Sequence, residues 1–338
     1  MTISLSNKYR PTDFSEVIGQ ESIIKILSKQ IELKSYKNCY LFSGPSGCGK
    51  TTLARIFSKK INYGVGNPIE IDAASNNGVD NIRNIIEGAN QRSLDSEYKV
   101  YIIDECHMIT TQGWNAFLKC IEEPPKYTMF MFCTTDPQKV PATIVNRCQV
   151  YNLNRISSDK IFSRLSDICE SEGYAFEHEA LNQLAKMSGG SLRQAIAYLD
   201  KCKDFSTTIL LKNVFEVLGD YSYDTMFELT NSIMDNNQAR VVEIIEKLYL
   251  SGSDLKLFID SYIDFVLDLA KYCLFKNYNL IKIPKSMNKA LEWTTNIENN
   301  VKFFNKFVDK LLVIKQTIKG DSMAKNTIEI MLLNMERI

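Results

Sequence analysis

A glycine-rich octapeptide carries the first recognisable chemistry in the sequence. "GPSGCGKT", Gly44 to Thr51, matches the pattern G-x-x-x-x-G-K-T in full and lies between an apolar run and a segment of helical periodicity. In such a loop, backbone N–H groups and the positive end of the following helix dipole attract phosphates. We therefore predict that Lys50 reaches the terminal phosphates of a nucleotide and that Thr51 is a ligand of Mg²⁺. The predicted nucleotide-binding loop comprises Gly44, Pro45, Ser46, Gly47, Cys48, Gly49, Lys50, Thr51 and Thr52.

Two adjacent acids end a second apolar run, "VYIIDE". We expect this run to be a buried strand beside the strand that feeds the loop, so that Asp104 holds Mg²⁺. Glu105 is then placed to polarise an attacking water, and because GTPases of the Ras type use a glutamine for this task, the acid pair favours ATP hydrolysis. The alternative is a strand that simply ends in solvated acids. The acid pair lies about 50 residues downstream of a phosphate-binding loop, and this position makes the alternative the weaker interpretation.

Four further polar residues are open to more than one interpretation. Thr134 and Thr135 close the run "MFMFCTT", where a hydroxyl can bond the γ-phosphate or the water, or simply end a strand. His107 follows the acids, and we predict a surface or supporting position for it rather than catalysis. Arg147 ends the run "TIVNRC". A buried guanidinium is costly without a partner, so Arg147 requires either an acid in a salt bridge or a phosphate.

Composition sets the broad class. The 338 residues suffice for two or three domains, and the 45% apolar and 24% charged content is that of a globular protein. The 40 basic and 40 acidic residues balance, so contact with nucleic acid requires a local basic cluster. The nine cysteines form no C-x-x-C spacing, which favours reduced thiols. Without a signal peptide or an apolar run of ~20 residues, we predict a cytoplasmic protein that does not bind membranes.

The order of elements predicts the domains. Up to residue 155, four apolar strands alternate with helical segments, which predicts an α/β core with a parallel sheet covered on both faces. From Ile156 onward we predict helices alone. The predicted segments are 1–155 for the core, 156–218 for a small helical lid and 219–338 for an all-α domain.

Seven motifs then occur in one order and closely resemble one family. They are "KYRPTDFSEVIGQE", "GPSGCGKT", "EIDAASNNGVDNIR", "VYIIDECHM", "FLKCIEEPP", "TTDPQKVPATIVNRC" and "GGSLRQAI". Together they resemble the gamma/tau motor subunits of the clamp loader of bacterial DNA polymerase III, which are AAA+ ATPases. The resemblance covers roughly residues 7–200 and is specific, because seven separate motifs agree in order and spacing. The rest of the chain resembles that family's collar domain only in being helical and of suitable length.

The resemblance implies a set of roles. It implies an ATP- and Mg²⁺-dependent subunit that assembles with other clamp loader subunits, in a pentameric ring, to load a sliding clamp on primer–template DNA. Arg147 matches an arginine finger that reaches the ATP of the adjacent subunit. The other implied positions are Tyr9, Arg10, Pro11, Val17 and Ile18 around adenine, Thr135 as sensor 1, Arg193 as sensor 2 at the γ-phosphate, and Arg83 and Lys119 on DNA phosphates.

The chain also departs from the family pattern. Bacterial members usually carry a four-cysteine zinc module where this chain has only "NYGVGNP", Asn62 to Pro68, so we predict no zinc. We further expect it to lack the long tail of the tau forms, as a compact version from a mobile element or a divergent bacterium. Asn146 replaces the family's serine before Arg147, a substitution without a physical explanation.

Three other functions compete with clamp loading. A branch-migration or recombination-linked AAA+ motor shares the "RP…IGQ" opening but requires a winged-helix domain with a β-hairpin at its C-terminal end. A non-catalytic scaffold subunit loses the loop lysine or the acid pair, and this chain keeps Lys50, Asp104 and Glu105. A small-molecule kinase is disfavoured by the lid and the C-terminal helices.

Overall fold

A computed structural model describes residues 4–218, 223–295, 300–319 and 324–334. The chain divides into two compact units. The first contains Met1–Ile168 and Ser188–Asp200, and the second contains Cys169–Met187 and Lys201–Ile338. The boundaries at residues 155 and 218 that the sequence suggests stay predictions.

A five-stranded parallel sheet forms the centre of the first unit, in the order β2-β3-β4-β1-β5. Its strands are β1 (Cys39–Ser43), β2 (Ile69–Asp72), β3 (Lys99–Asp104), β4 (Thr128–Thr134) and β5 (Gln149–Asn152). Strand β5 is absent from the four predicted strands, because "QVYN" is short and only Tyr151 in it is buried. The expectation that the strand of the acids lies beside the strand of the loop is wrong, because β4 lies between β1 and β3.

Helices cover both faces of this sheet, as predicted for strands that are apolar throughout. The helices are α1 (Leu5–Lys8), α2 (Glu21–Glu32), α3 (Lys50–Ile61), α4 (Val79–Ala89), α5 (Thr111–Glu122) and α6 (Ala142–Val145). Successive strand residues point to opposite faces. Phe42 accordingly packs in one cluster with Leu53 of α3, whereas Leu41 packs in the other with Phe117 of α5. Both clusters are buried, which confirms the predicted α/β class.

The segment after Ile156 is mainly helical but not wholly so. It contains α7 (Ser158–Glu172), β6 (Ala175–Phe176), α8 (His178–Met187), α9 (Leu192–Phe205), β7 (Thr208–Ile209) and α10 (Leu211–Leu218). The prediction of helices alone is therefore wrong at β6 and β7, which pair in parallel. Two residues per strand are too few to show an alternating pattern in the sequence.

The helices from residue 223 onward share a core of their own in the second unit. They are α11 (Tyr223–Met234), α12 (Gln238–Leu250), α13 (Leu255–Phe275), α14 (Asn288–Thr295), α15 (Asn300–Ile318) and α16 (Ala324–Leu333). Phe258, Tyr262 and Phe304 are fully buried in that core. Within the described part of 223–334 every regular element is helical, as predicted. No described helix is long and apolar enough to cross a membrane.

Candidate active site

The phosphate-binding loop follows the carboxyl end of β1 and leads directly into α3, as the motif requires. A Cβ at either of two of its glycines would collide with a neighbouring atom. A Cβ at Gly44 would lie 2.5 Å from the carbonyl oxygen of Leu153, and a Cβ at Gly47 would lie 2.0 Å from Oγ of Ser191. Gly47 also has a φ of +72°, a region that other residues rarely adopt. The loop is therefore packed closely against the residues that follow β5 and those that begin α9.

Lys50 is held over the loop. Its side chain is buried, and Nζ donates hydrogen bonds of 2.9 Å to the carbonyl of Gly44 and 3.0 Å to that of Pro45. An ammonium group with three donors can exchange such carbonyl contacts for phosphate oxygens. The Cys48 side chain is buried in the core, and burial raises the pKa of its thiol. Cys48 consequently offers only its backbone to a ligand.

Thr51 and Asp104 meet despite the intervening strand. Thr51 Oγ1 donates a 2.7 Å hydrogen bond to Asp104 Oδ2, and the other carboxylate oxygen accepts 3.0 Å from the backbone N–H of Glu105. A hydroxyl and a carboxylate are the hard oxygen ligands that Mg²⁺ prefers, and the ion usually keeps several waters as well. The two residues predicted to hold Mg²⁺ therefore form a fitting pair of ligands.

Glu105 lies at the edge of the same cleft. Its backbone is left-handed, with φ of +46°, and its side chain is partly exposed. Thr135 Oγ1 donates 3.0 Å to Glu105 Oε2. Thr134 is fully buried and its Oγ1 accepts from the backbone N–H of Asp136. Of the two threonines at the end of the strand, Thr135 is thus the one that contacts the acid.

The cleft itself has a volume of about 350 Å³. From the predicted set it is lined by Tyr9, Arg10, Pro11, Ser46, Gly47, Gly49, Lys50, Thr51, Thr52, Asp104, Glu105 and Arg193. Val17 and Ile18 are not among its lining residues, and Val17 packs against the core between the sheet, α2 and α3. The adenine role of both stays a prediction.

Four lining residues were missed from the sequence: Ser6, Asn7, Arg55 and Ile196. Only Arg55 gave a signal, since it lies four residues after Thr51 and therefore on the same face of α3. Arg55 forms an ion pair with Glu70 of β2, and its Nε has no hydrogen-bond partner among the described residues. Arg55 thus lines the cleft with a guanidinium that is paired with Glu70 and has one buried N–H that is unpaired within the described part of the chain.

Positive charge dominates the electrostatics of the cleft. Arg10, Arg55 and Arg193 surround it together with Lys50. Arg10 Nε donates 3.3 Å to Thr52 Oγ1. Burial lowers the pKa of Arg10, the nearby Arg55 and Arg193 lower it further, and Glu70 and Asp104 partly offset this. A bound polyanion relieves the repulsion between clustered guanidinium groups, so the cleft suits a nucleoside triphosphate.

Arg147 lies far from this cleft. Its Nη2 is 2.5 Å from Glu122 Oε1, and its Nη1 donates 2.8 Å to the carbonyl of Thr143. It lines a surface depression together with Cys39, which is the first residue of β1. The phosphate-binding loop (P-loop) follows Ser43, the last residue of β1. The five residues of β1 span roughly 13 Å at the usual rise of a strand. Arg147 therefore lies at the amino ends of the parallel strands, whereas its own P-loop lies at their carboxyl ends.

The two predicted DNA contacts lie on the surface. Arg83 of α4 and Lys119 of α5 are both at least partly exposed, and Arg83 Nη1 lies 3.3 Å from Asp80 Oδ1. The two helices pack against each other on the same face of the sheet. This places both cations on one helical layer, away from the sheet.

The cysteines and the segment of the missing zinc module are also described. All nine cysteines lie within the described ranges, none forms a disulfide, and seven of them are buried. Over the same ranges no group of three or more His, Cys, Asp or Glu side chains is arranged to hold a metal ion. The absence of zinc stays a prediction.

Two family models match the chain. Residues 65–157 match the model described as DNA polymerase III, delta subunit. Residues 160–202 match that of the DNA polymerase III clamp loader subunit, ATPase lid domain. The second match spans α7 to α9 and includes Arg193.

Several curated proteins are similar over most of the chain. The DNA polymerase III subunit gamma of Buchnera aphidicola is 32% identical over 332 residues, which cover 91% of each protein. The subunit gamma/tau of Mycoplasma genitalium is 34% identical over 86% of this chain and 52% of its own length. The subunit tau of Bacillus subtilis is 36% identical over 80% of this chain and 52% of its own length. The chain thus spans about half the length of the last two.

Among solved structures, the Holliday junction branch migration motor RuvB of Thermotoga maritima is similar in fold. One such structure has a TM-score of 0.54 and 20% identity, over 67% of this chain and 79% of that one. A second structure, of a RuvB variant with a single substitution, gives the same TM-score at 21% identity. At this identity the likeness concerns the fold alone, and it agrees with the predicted α/β core.

Proposed function

The chain belongs to the DNA polymerase III gamma/tau family, and on that premise we propose that it is an ATPase subunit of a replicative clamp loader. In this role it binds ATP and Mg²⁺, assembles with other clamp loader subunits and loads a sliding clamp onto primer–template DNA. The observation that carries the proposal is the continuous set of contacts from Thr51 to Asp104, Glu105 and Thr135 at the edge of an arginine-lined cleft.

The residues of the cleft divide the work of hydrolysis. The loop N–H groups and Lys50 bind the phosphates, and Arg193 brings the start of α9 against them. Thr51 and Asp104 hold Mg²⁺, which when bound supplies positive charge against the phosphate oxygens. Glu105 orients the attacking water and takes up its proton, and Thr135 fixes the direction of that carboxylate.

Arg147 acts in this proposal on the ATP of a neighbouring subunit. Arg147 lies at the opposite ends of the strands from the P-loop, and this position supports action in trans. No short movement of its side chain would cover the length of β1. An arginine supplied to a phosphoryl-transfer site is worth about 10³–10⁵ in rate. Glu122 neutralises the guanidinium until a phosphate replaces it. The same proposal includes a ring of five subunits, in which the arginine of one subunit reaches the nucleotide cleft of the next.

Arg83 and Lys119 contact DNA phosphates in this arrangement. Both are cations at the surface of one helical layer, which suits contact with a backbone rather than the reading of bases. Such contacts release counterions, so each removed cation reduces the salt dependence of DNA binding by about one unit of slope.

A branch-migration motor is the second candidate, favoured by the likeness of fold to RuvB. Its discriminating feature is a winged-helix domain with a β-hairpin near the C-terminus. The regular elements described between 223 and 334 are all helices, which supports the clamp loader instead. A non-catalytic scaffold subunit is disfavoured because Lys50, Asp104 and Glu105 are all present and brought together.

Steady-state ATPase assays on the assembled complex test the proposal. We expect clamp and primed DNA together to stimulate hydrolysis, whereas a four-way DNA junction has no such effect. Glu105→Gln should retain ATP binding and lose hydrolysis by a factor of about 10² or more. Lys50→Ala, the matched control, should lose binding as well. Stimulation by the junction alone, or full hydrolysis by Glu105→Gln, would contradict the proposal.

A further inference from the structure

His107 lies directly behind the proposed catalytic carboxylate. It is the middle residue of a short 3-10 turn, Cys106–Met108, that follows β3, and its side chain is only 12% exposed. Nδ1 lies 3.3 Å from Glu105 Oε2 and 3.1 Å from Thr134 Oγ1. His107 is not among the residues that line the cleft, so its contacts are with the protein rather than with a nucleotide.

The neighbouring groups favour one tautomer of the imidazole, the one with the proton on Nδ1. An ionised carboxylate only accepts, so a bond between Nδ1 and Glu105 requires the proton on Nδ1. Thr134 Oγ1 already accepts from the N–H of Asp136, at 3.0 Å, and has a second lone pair. With the proton on Nδ1, the N–H group donates to Thr134 Oγ1 and its positive end lies close to Glu105 Oε2, with Nδ1 3.3 Å away. Thr135 Oγ1 donates to the same Oε2 of Glu105.

The backbone brings these groups together. Glu105 has left-handed φ and ψ of 46° and 42°, which costs a non-glycine residue roughly 1–2 kcal/mol. The carbonyl of Glu105 accepts a 2.9 Å bond from the N–H of Met108, so the chain turns back at once and places His107 beside Glu105. A strained residue at a functional site persists where its surroundings determine it.

We propose that His107 is a positioning residue that fixes the carboxylate of Glu105 for hydrolysis. The inference rests on the proposed role of Glu105 as the group that activates the water. Oγ1–H of Thr135 donates to Glu105 Oε2, and Nδ1–H of His107 contacts the same oxygen. The two groups come from neighbouring segments, the end of β4 and the turn after β3. Two such contacts on one oxygen restrict the rotation of the carboxylate and direct its other oxygen. Misplacement of a catalytic group by about 1 Å can cost about 10²-fold in rate.

Three substitutions separate this role from packing. In His107→Asn the amide nitrogen takes the place of Nδ1, in His107→Gln the donor moves to the place of Nε2, and His107→Leu has no donor. In the assembled complex with clamp and primed DNA, we expect kcat within about threefold of wild type for the asparagine variant. The other two should lose roughly ten- to a hundredfold, with KM and the Kd for ATP unchanged in all three.

The outcomes are distinguishable. Full kcat in His107→Leu would overturn the inference, and so would an equal loss in all three variants that follows a fall in Tm. In a Glu105→Gln background, His107→Leu should have no further effect on the residual rate, since nothing is left to position. Full hydrolysis by Glu105→Gln alone would overturn the proposed function itself, whereas an inactive Glu105→Gln with an active His107→Leu overturns only the positioning role.

Discussion

Arg147 and Glu122 form an ion pair, with Nη2 2.5 Å from Oε1, at the end of the sheet where β1 begins. The P-loop lies at the other end, where β1 stops. Both side chains are partly exposed, at 39% and 41%. A surface pair of this kind contributes only about 0–1 kcal/mol. Exchanging the carboxylate of Glu122 for a neighbour's phosphate is therefore inexpensive.

The first prediction concerns this exchange. Arg147→Ala should leave ATP binding by the chain's own P-loop nearly unchanged, because the two sites are separated by the length of β1. It should abolish the hydrolysis stimulated by clamp and DNA in the assembled ring. Nucleotide titration and steady-state ATPase assays measure the two effects. Glu122→Gln is the matched control and should keep most of the activity; equal loss of binding and hydrolysis in Arg147→Ala would mean that the arginine is structural.

A second prediction follows from the contact between the P-loop and the start of α9. Gly47→Ala places a Cβ 2.0 Å from Ser191 Oγ and imposes a φ of +72° on alanine. We expect a loss of ATP affinity of about tenfold or more, measured with a fluorescent nucleotide. Ser191→Gly in the same chain removes the clash but not the strain, and should restore part of the affinity.

Gly49→Ala is the control for strain alone. Gly49 also has a positive φ, 106°, but a Cβ there meets no atom within 4 Å. The strain at a φ of 106° is at least as large as at 72°, because 106° lies further outside the left-handed region that alanine can adopt. A loss in Gly47→Ala that exceeds the loss in Gly49→Ala is therefore due to the clash, and we expect this order. If both variants were impaired equally and Ser191→Gly had no effect, close packing against α9 would not be what requires glycine at 47.

How much of this was visible in the sequence depends on the range of the interaction. Helix α3 and the P-loop were predictable because their signals lie in adjacent residues, and β3 and β4 because they are apolar throughout. The order of strands was not, since β4 separates β1 from β3 without any local mark. Four-residue β5 and the two-residue strands β6 and β7 were too short to show a period.

The site shows the same division. The spacing of Lys50, Thr51 and the two acids indicates their chemistry, because that chemistry depends on residue type. The contacts of Ser191 with Gly47 and of Glu122 with Arg147 join residues far apart in sequence, and neither residue type nor spacing marks them. His107 was predicted to have a surface or supporting position rather than a catalytic one. Its side chain is largely buried against Glu105 and Thr134, so the surface alternative is wrong, and the supporting role stays a prediction.

A third prediction concerns Arg55, which lines the cleft. Its Nε has no hydrogen-bond partner among the described residues. Arg55→Met keeps the aliphatic part of the side chain and removes the donors. We expect the Kd for ATP to rise about tenfold, equivalent to about 1.4 kcal/mol, with a smaller change in kcat. Isothermal titration calorimetry measures this directly.

Glu70→Gln tests how Arg55 is held. The substitution removes the charge of its ion-pair partner on β2 but leaves the guanidinium in place. The Kd should change less than in Arg55→Met. If the two variants lost the same affinity, Arg55 would act through its link to β2 rather than through contact with the nucleotide.

A fourth prediction is the pH dependence of the contact between the N-terminal segment and α3. Asp13 forms an ion pair with Lys60, and its Oδ1 accepts 3.0 Å from the backbone N–H of Ser15. The hydrogen bond from Lys60 is the largest cause that lowers the pKa of Asp13 to about 2, and the N–H of Ser15 is the next. A carboxyl whose pKa is lower in the folded state stabilises the fold above its unfolded pKa of 3.8, and this contribution is lost as the pH falls from there toward 2.

The titration of Asp13 by NMR measures this shift. In Lys60→Met the largest cause is gone, so the pKa of Asp13 should rise toward 3.8 while the bond from Ser15 keeps it somewhat below. Because the side chains of both partners are more than a third exposed, at 36% and 47%, the loss of stability at neutral pH should be small, under about 1 kcal/mol. An Asp13 pKa that is the same in Lys60→Met as in the wild type would show that solvent screens the pair completely and that the turn at Ser15 alone accounts for the shift.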